Sequence, residues 1–320
     1  MPAPCSRLTL AVPDSFSLPH AVCSYGYFLL EPNRWDHHTA TFHRVLRGNR
    51  QRPLRVAVQQ RQPTRLTITA DTKLDRGESA AVKRDLTRML RPDEDQSDWW
   101  AMHPEAKRRR FGPMFRSPSL FEDMVKTITG CNVTWKNTIN MNRLLCARVP
   151  RIGRGGFPTP QQIVAFGPDR LKAACRVGYR AERIVRLAQS FLNGDIDPEW
   201  YEDPARTTNE LNAALKKLHG IGDYAAANIA MLLGHYDRLA IDTETYRHYC
   251  LTTNTPRPKD PPGLAKLHKQ IDAHYAQYHP YPFKAYWFEL WRHYEERFGD
   301  AHTWDRDTTG SSFTASVLKN

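Results

Sequence analysis

No run of eighteen or more apolar residues occurs in this 320-residue chain, so no segment is expected to span a bilayer. Cysteine is sparse and scattered: six residues, at positions 5, 23, 131, 146, 175 and 250, with no C-x-x-C pair and no zinc-finger spacing. That spacing argues against a disulfide framework and for reduced thiols, most of them small core residues. The first sixteen residues hold neither a basic start with a long apolar run nor a small-residue cleavage site, so no secretory signal is expected. The expected setting is a bacterial cytoplasm or nucleoid, or a eukaryotic nucleus. Internal repeats and low-complexity tracts are lacking as well. Acidic charge is in short supply: 34 Asp plus Glu stand against 46 Lys plus Arg, a net charge of +12.

What is present is enough apolar matter for a core, at 40% hydrophobic and 11% aromatic residues, which excludes a disordered basic tail. The length exceeds that of one typical domain, so two lobes are expected. The positive surplus is uneven. Residues 1–110 hold 19 basic against 12 acidic side chains, 111–250 hold 18 against 14, and 251–320 hold 9 against 8. With no amphipathic membrane-binding helix, such a surplus points to nucleic acid as a polyanionic partner. A soluble protein that happens to be basic would read the same on charge alone.

The first hundred residues read mostly as strand. Leu54, Val56, Val58 and then Leu66, Ile68, Ala70 alternate with polar residues around Gln62-Pro63-Thr64, the period of a half-buried antiparallel pair. Val82, Leu86, Met89 and Leu90 form one stripe of a helix predicted to start after Gly77 and stop at Pro92. From Asp93 the chain turns polar, then strongly basic at Lys107 to Arg110, and reads as a solvated linker ending at Gly112-Pro113. Beyond it only helices are predicted. Ser119 with Glu122 and Thr207 with Glu210 have capping-box spacing, and Asn193-Gly194 is a helix stop. The fold class is therefore α+β. A strand-rich lobe is expected over 1–105, a helical lobe over 106–304 with a hairpin at 208–233, and a loose tail over 305–320.

The most informative stretch runs from Leu218-His-Gly-Ile-Gly-Asp-Tyr224 to Asp242-Thr-Glu-Thr-Tyr246. A capped helix ends near Leu218, Gly220-Ile221-Gly222 makes a tight turn, and a helix of small residues follows at once. Glycines there leave amide groups unobstructed at a helix N-terminus, a site suited to a phosphate, while Ile221 plugs the turn into the core. Taken alone, the same pattern is an ordinary helical hairpin. Asp242, after the apolar Leu239-Ala-Ile241, is placed to begin a helix, where it is either an N-cap or a functional carboxylate.

This segment resembles the helix-hairpin-helix motif and following aspartate of the base-excision DNA glycosylases. Phe157-Pro-Thr-Pro160, Leu171 and Gly178-Tyr-Arg-Ala181 are similar to elements of the oxoguanine branch of that superfamily, and Asn132 falls where the branch carries a void-filling asparagine. The resemblance implies double-stranded DNA with a flipped-out damaged base as partner, a monomeric protein, and Asp242 as the carboxylate that stabilises positive charge developing on the deoxyribose. It places Tyr224 where bifunctional members carry a Schiff-base lysine, which implies hydrolysis by water without strand cleavage. Lys216, Lys217 and Arg180 are candidate phosphate contacts. Two elements depart from the oxoguanine pattern, Ser24-Tyr-Gly-Tyr-Phe28 and Tyr286-Trp-Phe-Glu-Leu-Trp291. Hence an alkylated purine held by aromatic side chains, Trp135, Tyr179, Tyr224, Tyr286 and Trp287, is the expected substrate. Each of these has the alternative role of a core aromatic. Oxidised or deaminated purines, and a DNA-binding protein without catalysis, are the other readings. No cofactor is expected: only Cys250 follows Asp242, so an iron-sulfur cluster is excluded, while the resemblance leaves room for a monovalent cation on the hairpin carbonyls.

Overall fold

The computed structural model describes residues 6–49, 52–149 and 155–308. Strand β1 (Ser6–Ala11), β2 (Asn33–Asp36), β3 (Thr41–Arg47), β4 (Pro53–Gln62) and β5 (Arg65–Ala70) form an antiparallel sheet in the order β1-β5-β4-β3-β2. Val58 faces Ile68 and Val56 faces Ala70 across the β4–β5 pair, whose register shifts between Gln59 and Gln62. Every second side chain, from Phe42 and Leu46 to Leu54, Val56, Leu66 and Ile68, is buried. One face of the sheet thus packs inward and the other is polar, as the alternation predicts.

The next helix spans Arg76–Leu90, two residues longer at its start than predicted. Asp75, not Gly77, sets its beginning: its carboxylate accepts from the Glu78 amide, and Glu78 returns a bond to the Asp75 amide. The stretch 93–113 is a correction. It is no solvated linker but carries two short helices, Ser97–Met102 and Pro104–Arg108, pinned by Trp99. That indole is fully buried and donates to the Phe111 carbonyl at 3.0 Å. Its polar neighbours mask this anchor in the sequence, and Lys107, Arg108 and Arg110 stay at the surface.

Among the described residues beyond 113 all regular structure is helical. Ser119 caps Leu120–Gly130 as predicted, but Glu122 does not complete the box. Its carboxylate instead joins Arg44 at 2.6 Å and Lys126 at 2.7 Å in a buried triad that ties β3 to this helix. Thr207 and Glu210 do form a full capping box, and Gly194 takes the left-handed conformation that ends Arg180–Asn193.

Two apolar clusters result. One gathers the helices between 120 and 233. The other joins the inner face of the sheet to Pro261–Tyr275 and Pro282–Phe298 at the far end of the chain. Of the tail, Asp305 to Thr308 form a turn with Arg306 paired to Glu31 at 2.5 Å, and 309–320 lie outside the described residues.

Candidate active site

The hairpin consists of Thr208–Lys216, a turn, and Asp223–Leu233. Gly220 has φ +82°, a backbone conformation that favours glycine, and a Cβ there would sit 2.6 Å from Arg183 Cδ and displace that side chain. Gly222 is different. Its φ of −96° is open to any residue, and a Cβ would meet nothing within 4 Å. What its glycine leaves is an open approach to the first turn of the helix, which carries no side-chain cap. Ile221 is buried in the helical cluster. Lys217 is exposed beside the turn, whereas Lys216 pairs with Asp223 at 2.6 Å.

A helix ending in Gly234 then leads through an irregular segment to Asp242, which caps Thr243–Thr252. Oδ1 of Asp242 accepts from the Glu244 amide at 2.9 Å, the Thr245 amide at 2.9 Å and the Thr245 hydroxyl at 3.1 Å. Thr245 is fully buried and lies 3.1 Å from the Tyr286 hydroxyl, while the Asp242 amide donates to its Oγ1. One assignment satisfies all three groups: the threonine donates to Asp242 and accepts from Tyr286 and the Asp242 amide. Every hydrogen bond described to the carboxylate goes to Oδ1, which leaves Oδ2 for the space in front of it. Burial pushes the Asp242 carboxyl above its ordinary range, against the bonds from Thr245 that pull it down. The aspartate is therefore both a cap and a part-buried carboxyl group whose burial disfavours its charge.

That space is a cavity of about 480 Å³. Of the residues singled out in the sequence, Asp242, Trp135, Tyr224, Tyr286 and Trp287 line it together. Tyr179 does not. It is 52% exposed, with the Arg180 and Arg183 guanidiniums 4.6 and 4.8 Å from its ring centre. Arg180 itself is buried and donates to the carbonyls of Cys131 and Asn132, so it braces the loop that holds Asn132 rather than reaching into solvent. Asn132 is exposed with φ +51°.

The sequence reading missed several lining groups. Tyr25 and Tyr27 come from the N-terminal region, where no periodic pattern marks them. Tyr25 donates to Asn228 at 2.7 Å, Asn228 to Thr127 at 3.1 Å, and Tyr27 shares a bond with Thr127 at 2.8 Å. This closed network spends the polar groups of the wall on one another. Trp287 likewise donates to the Ser24 carbonyl at 2.8 Å. Glu244 is held by Arg247 at 2.5 Å and by the Tyr294 hydroxyl at 2.8 Å. Lys126 is the one lysine among the described lining residues. It is fully buried against Glu122, and burial lowers its amine below the ordinary range.

No protein-family model matches the sequence, and no curated protein matches it. Solved structures do. The chain is similar to the 3-methyladenine DNA-glycosylase of Archaeoglobus fulgidus, with TM-score 0.64 and 19% identity over 92% of this chain and 99% of that one. It is also similar to the 8-oxoguanine glycosylase/lyase of Clostridium acetobutylicum, with TM-score 0.64 and 15% identity over 89% of this chain and 96% of that one. A complex of the Clostridium enzyme with double-stranded DNA containing cytosine opposite 8-oxoguanine matches with TM-score 0.59 and 14% identity over 84% and 92%. The fold of this chain is that of the helix-hairpin-helix DNA glycosylases.

Proposed function

We propose that a chain with this fold and this cavity is a monofunctional DNA glycosylase that releases an N-alkylated purine from duplex DNA, leaving an abasic site for base excision repair. The observation that carries the reading is the Asp242 carboxylate, fixed through Oδ1 and open through Oδ2, on the wall of a cavity built from aromatic rings. Breaking the C1′–N bond sends the bonding pair to the base and leaves positive charge on the sugar. An anion beside C1′ stabilises that charge, and Oδ2 can take a proton from the water that adds to it. The hairpin amides supply the seat for a backbone phosphate.

The walls favour a cationic base. Their tyrosines are pushed upward by burial, which makes Tyr25, Tyr224 and Tyr286 weak proton donors to a leaving group. An N-alkylated purine needs no such proton, since it already carries the charge that departure neutralises, and ring faces attract it. By the resemblance Tyr224 stands where bifunctional glycosylases carry a Schiff-base lysine, and Lys126 is buried in an ion pair, which supports water as the nucleophile.

The test is a panel of duplexes, each with one alkylated, oxidised or deaminated base, incubated with the protein and then treated with or without alkali. Strand breaks after alkali only, on alkylated substrates, are the expected result. Breaks without alkali would overturn hydrolysis by water. Release confined to oxidised or deaminated bases would overturn the alkyl assignment, and binding without release of any base would leave a DNA-binding protein.

A further inference from the structure

The proposed chemistry leaves the largest charge surplus of the chain, that of residues 1–110, without a role. Much of it lies on one surface. The polar face of the sheet carries Arg7 on β1, Arg34 on β2, Arg55 and Arg61 on β4, and Arg65 on β5, all exposed. The register places them in cross-strand rows: Arg7 opposes Thr69, Thr69 opposes Ala57, Ala57 opposes His43, and His43 opposes Arg34. Arg65 opposes Ala11 on the edge strand. Five strands make this face about 20 Å wide, broader than the opening of a DNA major groove.

Elsewhere some arginines are compensated by carboxylates, as Arg44, Arg88, Arg91, Arg109 and Arg247 are, and others, such as Arg84, Arg108 and Arg110, are not. On this face only Arg55 has an acidic partner, Asp71 at 3.5 Å, while Arg7, Arg34, Arg61 and Arg65 make no ion pair among the described residues. Between them stand Thr9, Thr67, Thr69 and Gln59, with the small apolar Val45 and Ala57 and one carboxylate, Asp36, at the β2 end. No Phe, Tyr or Trp points outward from the described strands, so the face has nothing to stack on an unpaired base or to insert into a lipid surface. Guanidiniums on a flat polar sheet match phosphate oxygens of a duplex.

The inner face of this sheet packs on the cluster that includes Tyr25, Tyr27, Tyr286 and Trp287 of the cavity wall. The outer face therefore looks away from the cavity that holds Asp242. We propose that the outer face of the sheet binds the phosphate backbone of a second segment of duplex DNA, independent of sequence and damage. A protein with two such surfaces can pass from one segment to another without first becoming free, which shortens the search for a rare lesion. The proposal concerns undamaged DNA, so it stands or falls separately from the base-release chemistry.

The test compares the full-length protein with a variant carrying Arg7→Gln, Arg34→Gln, Arg61→Gln and Arg65→Gln, whose side chains are exposed and make no ion pair among the described residues. Short undamaged duplexes are titrated into each, and dissociation from a labelled duplex is followed as unlabelled duplex is added. The wild type is expected to bind two duplexes and to release the label faster as competitor rises. The variant should bind one duplex and release it at a competitor-independent rate. Its log–log salt slope should be shallower by about 3 to 4, at roughly 0.9 per lost phosphate contact. Base release in a single turnover, and the circular dichroism spectrum, should be unchanged. Equal stoichiometry and equal slope in the two proteins would overturn the proposal, as would a face that captures anionic vesicles and not duplex.

Discussion

Asp242 carries two jobs that a single substitution separates. Asn accepts the same amide bonds at an N-cap about as well as Asp, so Asp242→Asn keeps the cap and loses the anion. Base release is expected to fall by at least about a hundredfold, while the melting temperature stays level or rises. The direction of the stability change follows from linkage. The folded carboxyl binds its proton more tightly than the unfolded one, so its charge opposes folding at neutral pH, and that penalty fades as pH falls through the raised value. For the same reason the acid limb of the rate profile should lie above the ordinary aspartate range near 3.9. Thr245 acts through Asp242. Thr245→Val removes a hydroxyl that pulls the carboxyl down and fixes Oδ1, so the acid limb should move further up and the rate should drop up to about a hundredfold. Thr245→Ser should restore both. An unchanged pH profile in the valine variant would make Thr245 a packing residue only.

At the scale of elements, the sequence announces what is periodic or capped locally and conceals what is held by distant partners. The β4–β5 pair, the helix over 76–90 and the hairpin all follow from spacing within ten or so residues. So does the position of Asp242 at a helix start. The cavity is less legible because its walls come from five separate parts of the chain, and Tyr25, Thr127, Asn228 and Tyr294 belong to no common pattern. The stretch after Asp93 was hidden in the same way. Its Glu94 lies under a cationic pair, Arg91 at 2.5 Å and Lys284 at 2.7 Å, and accepts from Tyr236 at 2.9 Å. Burial pushes this carboxyl up, but the two cations outweigh it and hold it at about 2. The hub ties the end of the 76–90 helix to the segment before Asp242 and to the 282–298 helix. Glu94→Leu would strand Lys284, which is 1% exposed at its side chain, beside Arg91. A loss of about 3–5 kcal/mol is expected from the midpoint of urea unfolding. Gly220→Ala, by contrast, strains one turn, at a cost of about 1–3 kcal/mol, and should weaken duplex binding more than it weakens the fold.

Across the whole molecule, the apolar matter does not divide where the strands end. The cluster beneath the sheet takes Phe42, Val58 and Ile68 from the N-terminal strands and Leu86 and Met89 from the helix that follows. It takes Met231 and Leu232 from the hairpin, and Ile271, Phe283 and Phe288 from the last two long helices. Strands that bury one face against a helix more than two hundred positions away in sequence cannot complete that core alone. A fragment ending at residue 105 is therefore expected to be unfolded by circular dichroism and to bind hydrophobic dyes. Removing residues from 261 onward should lower the stability of the sheet, although no strand is touched. In the intact chain, the sheet and the 282–298 helix should lose their amide-exchange protection together, in one cooperative step. Exchange of the strands while that helix stays protected, or a sharp thermal transition from the short fragment, would show that the N-terminal lobe folds by itself. Shared burial of this kind also explains why the cavity can be rigid. Tyr25, Tyr27, Tyr286 and Trp287 all belong to this core, and the Tyr25 and Trp287 rings lie 4.9 Å apart, so the aromatic walls are set by the same packing that holds the sheet to the last helix.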